Sequence, residues 1–242
     1  MDFTEIIIPD ETAKGILSIH LKRYEFARGR CEGRQVLDLG CGVGYGSAYL
    51  AEQAWRVTGV DRDSDSIRYA LSRYHRRNTK YIVADSEELS FRDRSFDVVC
   101  CFEAIEHVRE PGRTLREVAR ILKEDGLFFV STPWVPRSKN QSDNPHHYQE
   151  WSHPDFRNFL LNYFSFVQMS WQIRKQTQAH RWLQKLDVFN WRTRWIPLPV
   201  AKVIARTTRT APFAELELED IEVLPDFSEN PLSQIGVCSG LK

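Results

Sequence analysis

The chain has 242 residues, 42% hydrophobic and 27% charged, with Lys+Arg and Asp+Glu both totalling 33. That supports one large α/β domain with a sizeable core and excludes wholesale disorder and a general nucleic-acid coat. The five cysteines, Cys31, Cys41, Cys100, Cys101 and Cys238, form no CxxC pair, which excludes a disulfide framework and points to a reduced, cytoplasmic setting. The acidic residues 1–5 do not resemble a secretory signal, and no apolar run approaches the ~20 residues of a membrane span.

The first predicted element is a helix within residues 10–30, with Ala13, Ile16, Leu17, His20, Tyr24 and Ala27 on one face. Apolar strand-type runs then alternate with amphipathic helical ones. Strands are expected at 36–39, 56–60, 81–84, 97–102 and 127–130. One intervening helix opens after Asp63, a good N-cap, and carries Ile67, Ala70 and Leu71. Another starts at Pro111, repeats Leu115, Val118, Ala119 and Leu122, and stops near Gly126. Strands that are apolar throughout and separated by helices indicate a doubly wound, mostly parallel sheet. A further helix opens at Ser152 with a Ser-x-x-Asp capping pattern and Pro154 in its first turn. Strands at 166–169 and 234–238 close the chain.

The organisation expected is a single domain. Residues 35–133 form a ligand-binding core, 134–170 an acceptor loop with its helix and strand, and 171–232 an insertion before the last strand at 233–242. The insertion is distinctive. Residues 174–209 hold nine Lys/Arg against one acid, Asp187, interleaved with Trp182, Phe189, Trp191 and Trp195. Residues 215–229 then hold seven acids and no base. Base with large aromatics suits an anionic membrane surface, a phosphate-bearing glycan or RNA. The alternative is a lid whose basic face pairs with the acidic block; Pro197 and Pro199 argue against one long surface helix.

The chemistry-bearing motif is Asp38-Leu39-Gly40-Cys41-Gly42-Val43-Gly44-Tyr45-Gly46, after the first strand. Its glycines permit a tight turn and close approach of a ligand. Tyr45 stands where a dinucleotide fingerprint wants Gly or Ala. Asp38, two residues before the first glycine, would repel a pyrophosphate but suits a cationic amino-acid head. Asp61 ends the second strand and can accept from ribose hydroxyls, and Asp85 follows the third, where it can accept from an adenine amino group.

On the stretches 36–51, 57–63, 84–91, 96–108 and 115–133 the chain resembles the class I S-adenosylmethionine-dependent methyltransferases. The likeness covers roughly residues 10–170, and Glu124-Asp125 departs from the family's usual Pro-Gly at a turn. The resemblance implies a seven-stranded sheet, cofactor at the carboxyl ends of the first strands, and SN2 methyl transfer. By position, Asp38, Gly40 and Gly42 would line the methionine portion, Asp61 would hold the ribose, and Asp85 with Ser86 the adenine. Tyr24 is a candidate for covering the cofactor, and Cys41, Arg62 and Phe102 are further cofactor-binding candidates.

The fourth strand ends in Phe102-Glu103-Ala104-Ile105-Glu106-His107-Val108, and a second cluster, Asn144 to Trp151, includes His146, His147 and Glu150. Strand ends are where such sheets place chemistry. Methyl transfer to a hydroxyl needs its proton removed, so His107 is the first candidate base, with Glu103 and His147 beside it. The pairing of Glu-x-x-Glu-His with a later His-x-x-Glu resembles glycan, lipid and quinone methyltransferases, and also small-RNA 2′-O-methyltransferases. In the RNA group the matching residues hold a divalent ion, which implies Glu103, Glu106, His107 and His147 as ligands for Mg, Mn or Zn. His153 is better explained by the helix start.

The expected acceptor is a hydroxyl on a sugar, glycolipid precursor or related small metabolite. No DNA partner is expected, and neutral charge disfavours RNA; the 174–209 segment is a candidate for peripheral membrane contact. The alternatives are an RNA ribose 2′-O-methyltransferase, a non-catalytic cofactor-binding protein and, more distantly, a nicotinamide dehydrogenase.

Overall fold

A computed structural model describes residues 6–140, 142, 144–175, 213–225 and 231–242. The tryptophans and basic residues of 176–212 lie outside the described residues, and so do Asp226 and Glu229.

The elements follow in the order α1 (Lys14–Arg28), β1 (Gln35–Leu39), α2 (Tyr45–Leu50), β2 (Arg56–Asp61), α3 (Ser64–Arg73), β3 (Thr79–Val83) and β4 (Phe96–Phe102). Then come α4 (Pro111–Ile121), β5 (Leu122–Thr132), α5 (His153–Leu161), β6 (Phe164–Arg174), β7 (Ile221–Leu224) and β8 (Ser233–Leu241). The sheet runs β3-β2-β1-β4-β5-β8-β6-β7. The five strands from β3 to β5 are parallel, while β8 is antiparallel to both its neighbours and β7 pairs antiparallel to β6. The doubly wound, mostly parallel architecture thus holds, with eight strands where the resemblance implies seven. The extra strand, β7, lies inside the acidic block.

The all-apolar strand runs are explained by burial on both faces. Leu37, Leu39, Val99, Cys101 and Phe128 feed one core that α4 and α5 cover, and Val36, Val57, Val98, Cys100 and Phe129 feed the other with Tyr24 and Ala27 of α1. The five cysteines are free and buried, packed as small apolar residues.

Several local expectations are corrected. The buried face of α1 is Gly15, Ser18, Ile19, Arg23, Tyr24 and Ala27, with Ile16 exposed. The rotation has two causes: Ile19 packs on Leu216 and Ile221, and Arg23 is drawn inward by Glu103. Helix α4 ends at Ile121 rather than near Gly126, because Leu122 already pairs with Phe96; the register then jumps so that Val98 faces Leu127. Residues 123–126, including the departing Glu124-Asp125, form the resulting bulge, and Lys123 Nζ reaches Asp97 at 2.7 Å across it. Asp63 caps α3 as expected, accepting from Ser66 N at 2.9 Å. Ser152 caps differently: its hydroxyl donates to Asp155 at 2.6 Å and makes no side-chain bond to the helix backbone. In the acidic block, Glu217 pairs with Lys14 of α1.

Gly46, in the first turn of α2, lets α1 approach the glycine loop. A Cβ there would lie 2.0 Å from Cζ of Tyr24, far inside contact distance. Gly46→Ala is therefore expected to displace the Tyr24 ring and cost about 3 kcal/mol, lowering the thermal midpoint by roughly 6–12 °C. A calorimetric shift under ~2 °C would show that this packing does not hold α1 to the core.

Candidate functional site

The strand order reverses between β1 and β4, and at this switch point a cavity of about 600 Å³ opens at the carboxyl ends of the parallel strands. The loop from β1 to α2 forms its floor. Gly40 N and Cys41 N donate to Val60 O at 2.8 and 3.0 Å, folding the loop over the end of β2. Gly40 has φ +76°, and a Cβ there would strike the Ala104 side chain at 2.5 Å. Gly42 has φ +51°, and a Cβ there would meet nothing within 4 Å; the bare backbone faces open space where a ligand can approach.

Asp61 ties this loop to the next strand. One carboxylate oxygen accepts from Gly42 N at 2.8 Å, the other from Asp63 N at 2.9 Å. Each oxygen keeps a second lone pair, and Asp61 lines the cavity. Arg62, Asp85 and Ser86 also line it. Asp85 accepts from Glu87 N at 2.9 Å, shaping the turn after β3, and the Ser86 hydroxyl is 3.1 Å from that of Thr114. Tyr24, Cys41 and Phe102 reach the cavity as well.

Asp38 does not line it. Its carboxyl is fully buried beneath the loop, accepting from the Ser47 hydroxyl at 2.6 Å and from that of Tyr24 at 3.2 Å. Burial pushes its pKa up to about 7 against the lowering effect of those two bonds. The role expected for it at a cationic head is thus not one of direct exposure to the cavity.

On the β4 side, Glu103 and His107 line the cavity. Glu103 holds the left-handed backbone (φ +48°), rare for a residue with a Cβ and held here by its surroundings. Its carboxylate accepts from the Ser131 hydroxyl at 2.7 Å and pairs with the buried Arg23 at 3.3 Å. His107 Nδ1 lies 3.0 Å from the His146 carbonyl. Because a carbonyl can only accept, Nδ1 carries the proton and Nε2 is the lone-pair nitrogen of the neutral ring. Tyr148 N donates to Glu106 O at 2.8 Å, so the 144–150 loop is fastened to the end of β4. His147 sits in that loop with Nδ1 2.9 Å from Glu150 and its ring 4.8 Å from that of His107.

Of the four residues expected to ligate a metal, three come together. One ligand atom each of Glu106, His107 and His147 lies within 4.8 Å of the others. Glu103 is not in this group, since Arg23 and Ser131 take its carboxylate. Glu106 is 1% exposed, and among the described residues its Oε2 has no hydrogen-bond partner. Burial, then the Glu103 charge, holds its carboxyl well above the ordinary range. His153 starts α5, as expected, and its ring stacks on Trp171 at 4.3 Å.

The sequence reading missed His20, Tyr45, Arg109 and Tyr148, which also line the cavity. Tyr45 was visible only as a departure from the dinucleotide fingerprint, and His20 only as part of a helical stripe.

An α/β domain with a glycine-loop cavity at its topological switch point defines a class of nucleotide-type ligand binders. Residues 37–130 match the family model described as a methyltransferase domain. A probable S-adenosylmethionine-dependent methyltransferase of Mycobacterium tuberculosis is 36% identical over 146 residues, 59% of this chain and 53% of that protein. A ubiquinone biosynthesis O-methyltransferase of Coxiella burnetii is 37% identical over 103 residues, 42% of this chain and 44% of that one. A Thermotoga maritima structure described as an S-adenosylmethionine-dependent methyltransferase, possible histamine N-methyltransferase, superposes with a TM-score of 0.63 at 16% identity, covering 93% of this chain and 91% of its own. That likeness is one of fold. The chain spans about half the length of the curated relatives it matches. Residues 37–130 are thus similar to the methyltransferase domain of S-adenosylmethionine-dependent methyltransferases.

Proposed function

We propose that the protein transfers a methyl group from S-adenosylmethionine to a hydroxyl of a sugar, glycolipid precursor or related small metabolite. The observation that carries this is Asp61, which pins the glycine loop at the switch point and keeps a lone pair on each oxygen at the cavity wall. The cavity's volume and the open face of Gly42 fit the cofactor, with Asp61 and Arg62 at the ribose, Asp85 and Ser86 at the adenine, and Gly40, Cys41 and Gly42 under the methionine portion. S-adenosylmethionine supplies an electrophilic methyl on a sulfonium. The protein's part is to hold the acceptor oxygen in line and take its proton.

Two groups at the end of β4 are placed for the proton: Glu103, pinned by Arg23 and Ser131, and His107, whose Nε2 bears the lone pair. A second reading of His107 is favoured by the three-residue cluster. Both histidines have Nδ1 against an oxygen acceptor, as metal-bound imidazoles usually do, and among the described residues Oε2 of Glu106 has no partner. Glu106, His107 and His147 would hold a divalent cation, which supplies acidification of a nearby hydroxyl. RNA as acceptor draws on the same cluster; the neutral net charge weighs against it.

The test is methyl-label transfer from S-adenosylmethionine into fractionated cell extract, with Mn²⁺ or with chelator. Label is expected in the glycan, lipid or small-metabolite fraction, and chelator is expected to abolish it if the cluster binds metal. Label confined to RNA would replace the acceptor, while cofactor binding with no label anywhere would overturn the catalytic reading.

A further inference from the structure

The cavity has two walls of different character. From the ends of β2 and β3 come charged side chains, Asp61, Arg62, Asp63 and Asp85. The opposite wall is built by α1, Tyr45 and the end of β4. His20, Arg23 and Tyr24 share one side of α1 by their i, i+3, i+4 spacing. The Tyr24 ring packs edge-on against Tyr45 at 6.0 Å and Phe102 at 5.1 Å, and Arg23 reaches Glu103.

Two polar groups on this wall are unspent. Both His20 and Tyr45 line the cavity, yet among the described residues neither the ring nitrogens of His20 nor the hydroxyl of Tyr45 has a hydrogen-bond partner. Elsewhere on the lining, Asp61, Asp85, Ser86, Glu103 and Tyr148 are each engaged within the protein. Both residues are half-buried at the cavity wall, so these groups are open to a ligand that supplies their hydrogen bonds.

We infer that this wall takes an uncharged, hydroxylated acceptor, gripped by the ring nitrogens of His20 and the hydroxyl of Tyr45, and that these two residues set acceptor specificity. The inference rests on the methyl-transfer reading above. Both groups are neutral at neutral pH: burial, and then Arg23, holds the His20 imidazole well below its ordinary range, and burial raises the Tyr45 phenol. A neutral imidazole and a phenol each present a donor and an acceptor, which is what a hydroxyl needs. Among the described residues the cation beside His20 and Tyr45 is Arg23, while Arg62 sits on the charged wall and Arg109 holds the Tyr148 hydroxyl at 3.1 Å. Arg23 is 2% exposed and already holds Glu103 and the Ser233 hydroxyl, and the Glu103 carboxylate repels a second anion. Rejection follows from leaving a charge uncompensated.

The experiment uses the full chain, labelled S-adenosylmethionine and two matched probe pairs: catechol against 3,4-dihydroxybenzoate, and methyl α-glucopyranoside against its uronate. The uncharged member of at least one pair is expected to be methylated with kcat/KM about tenfold or more above its carboxylate twin. On that probe His20→Leu and Tyr45→Phe are expected to lower kcat/KM about tenfold, mainly through KM. His20→Gln, which keeps a donor and an acceptor, is expected to recover all but about threefold, a rescue that a packing role would not give. Cofactor affinity stays within about twofold throughout. A carboxylate twin that reacts as well, variants without effect, a loss in cofactor affinity in place of KM, or no label in any probe with cofactor bound would each overturn the inference. Absence of cofactor binding would instead count against the methyl-transfer reading itself.

Discussion

Asp61→Ala is expected to raise the dissociation constant for S-adenosylmethionine at least a hundredfold without unfolding the protein. Two losses combine. The carboxylate's free lone pairs would accept from the ribose hydroxyls, and hydrogen bonds to a charged acceptor are worth roughly 1.5–3 kcal/mol each. The same carboxylate holds Gly42 N at 2.8 Å and Asp63 N at 2.9 Å, so its removal also frees the glycine loop that shapes the floor. Two such bonds correspond to roughly a factor of 10² or more. Asp61→Asn keeps one acceptor oxygen and should lose much less. Titration calorimetry with S-adenosylmethionine, with a thermal melt as fold control, measures this directly. A change under threefold would remove Asp61 from the cofactor site.

That prediction rests on a residue legible in the sequence, and the reason is local. Asp61 closes an apolar strand and the glycine loop follows another, so period and punctuation place both at strand ends, where parallel sheets put ligands. The same logic finds seven of the strands. It misses β7 because Ile221-Glu222-Val223-Leu224 hides among acids, and what makes it a strand is its pairing with Trp171 to Arg174, some fifty residues earlier.

What the sequence does not disclose is partnership across distance. The resemblance to the RNA methyltransferases implies Glu103 as a metal ligand, yet Arg23, eighty residues before it, claims the carboxylate. Nothing local announces that Arg23 lies inward, since its own face of α1 turns only because Ile19 meets Leu216 and Ile221. Asp38 fails the expectation for a related reason: Ser47 and Tyr24 come to it from α2 and α1 and keep it beneath the floor. The His107–His147 pairing was better anticipated, because both residues sit in segments that end at the sheet's carboxyl edge. The bond of Tyr148 N to Glu106 O that joins them was not visible.

The Glu103–Arg23 pair also bears on what the β4 end can do. Burial, and then the Glu103 charge, holds the neighbouring Glu106 carboxyl well above its ordinary range. That carboxyl lies with His107 and His147 in one cluster.

His107→Ala is accordingly expected to lower kcat by a factor of 10² to 10⁴ at saturating cofactor, with the dissociation constant for S-adenosylmethionine changed less than about threefold. The His146 carbonyl fixes the proton on Nδ1 and presents Nε2 as the working atom, and both a proton acceptor and a metal ligand need that lone pair. The two roles separate in a second measurement. If Nε2 holds a cation with Glu106 and His147, Mn²⁺ binding by the free protein should weaken about 10–100-fold in both His107→Ala and His147→Ala, and the activity of each should fall together. If Nε2 takes the acceptor proton alone, Mn²⁺ binding is absent in every form, and His147→Ala loses far less activity than His107→Ala. Full turnover in His107→Ala would remove both roles and leave Glu103, fixed at the cavity wall by Arg23 and Ser131, as the group that takes the proton.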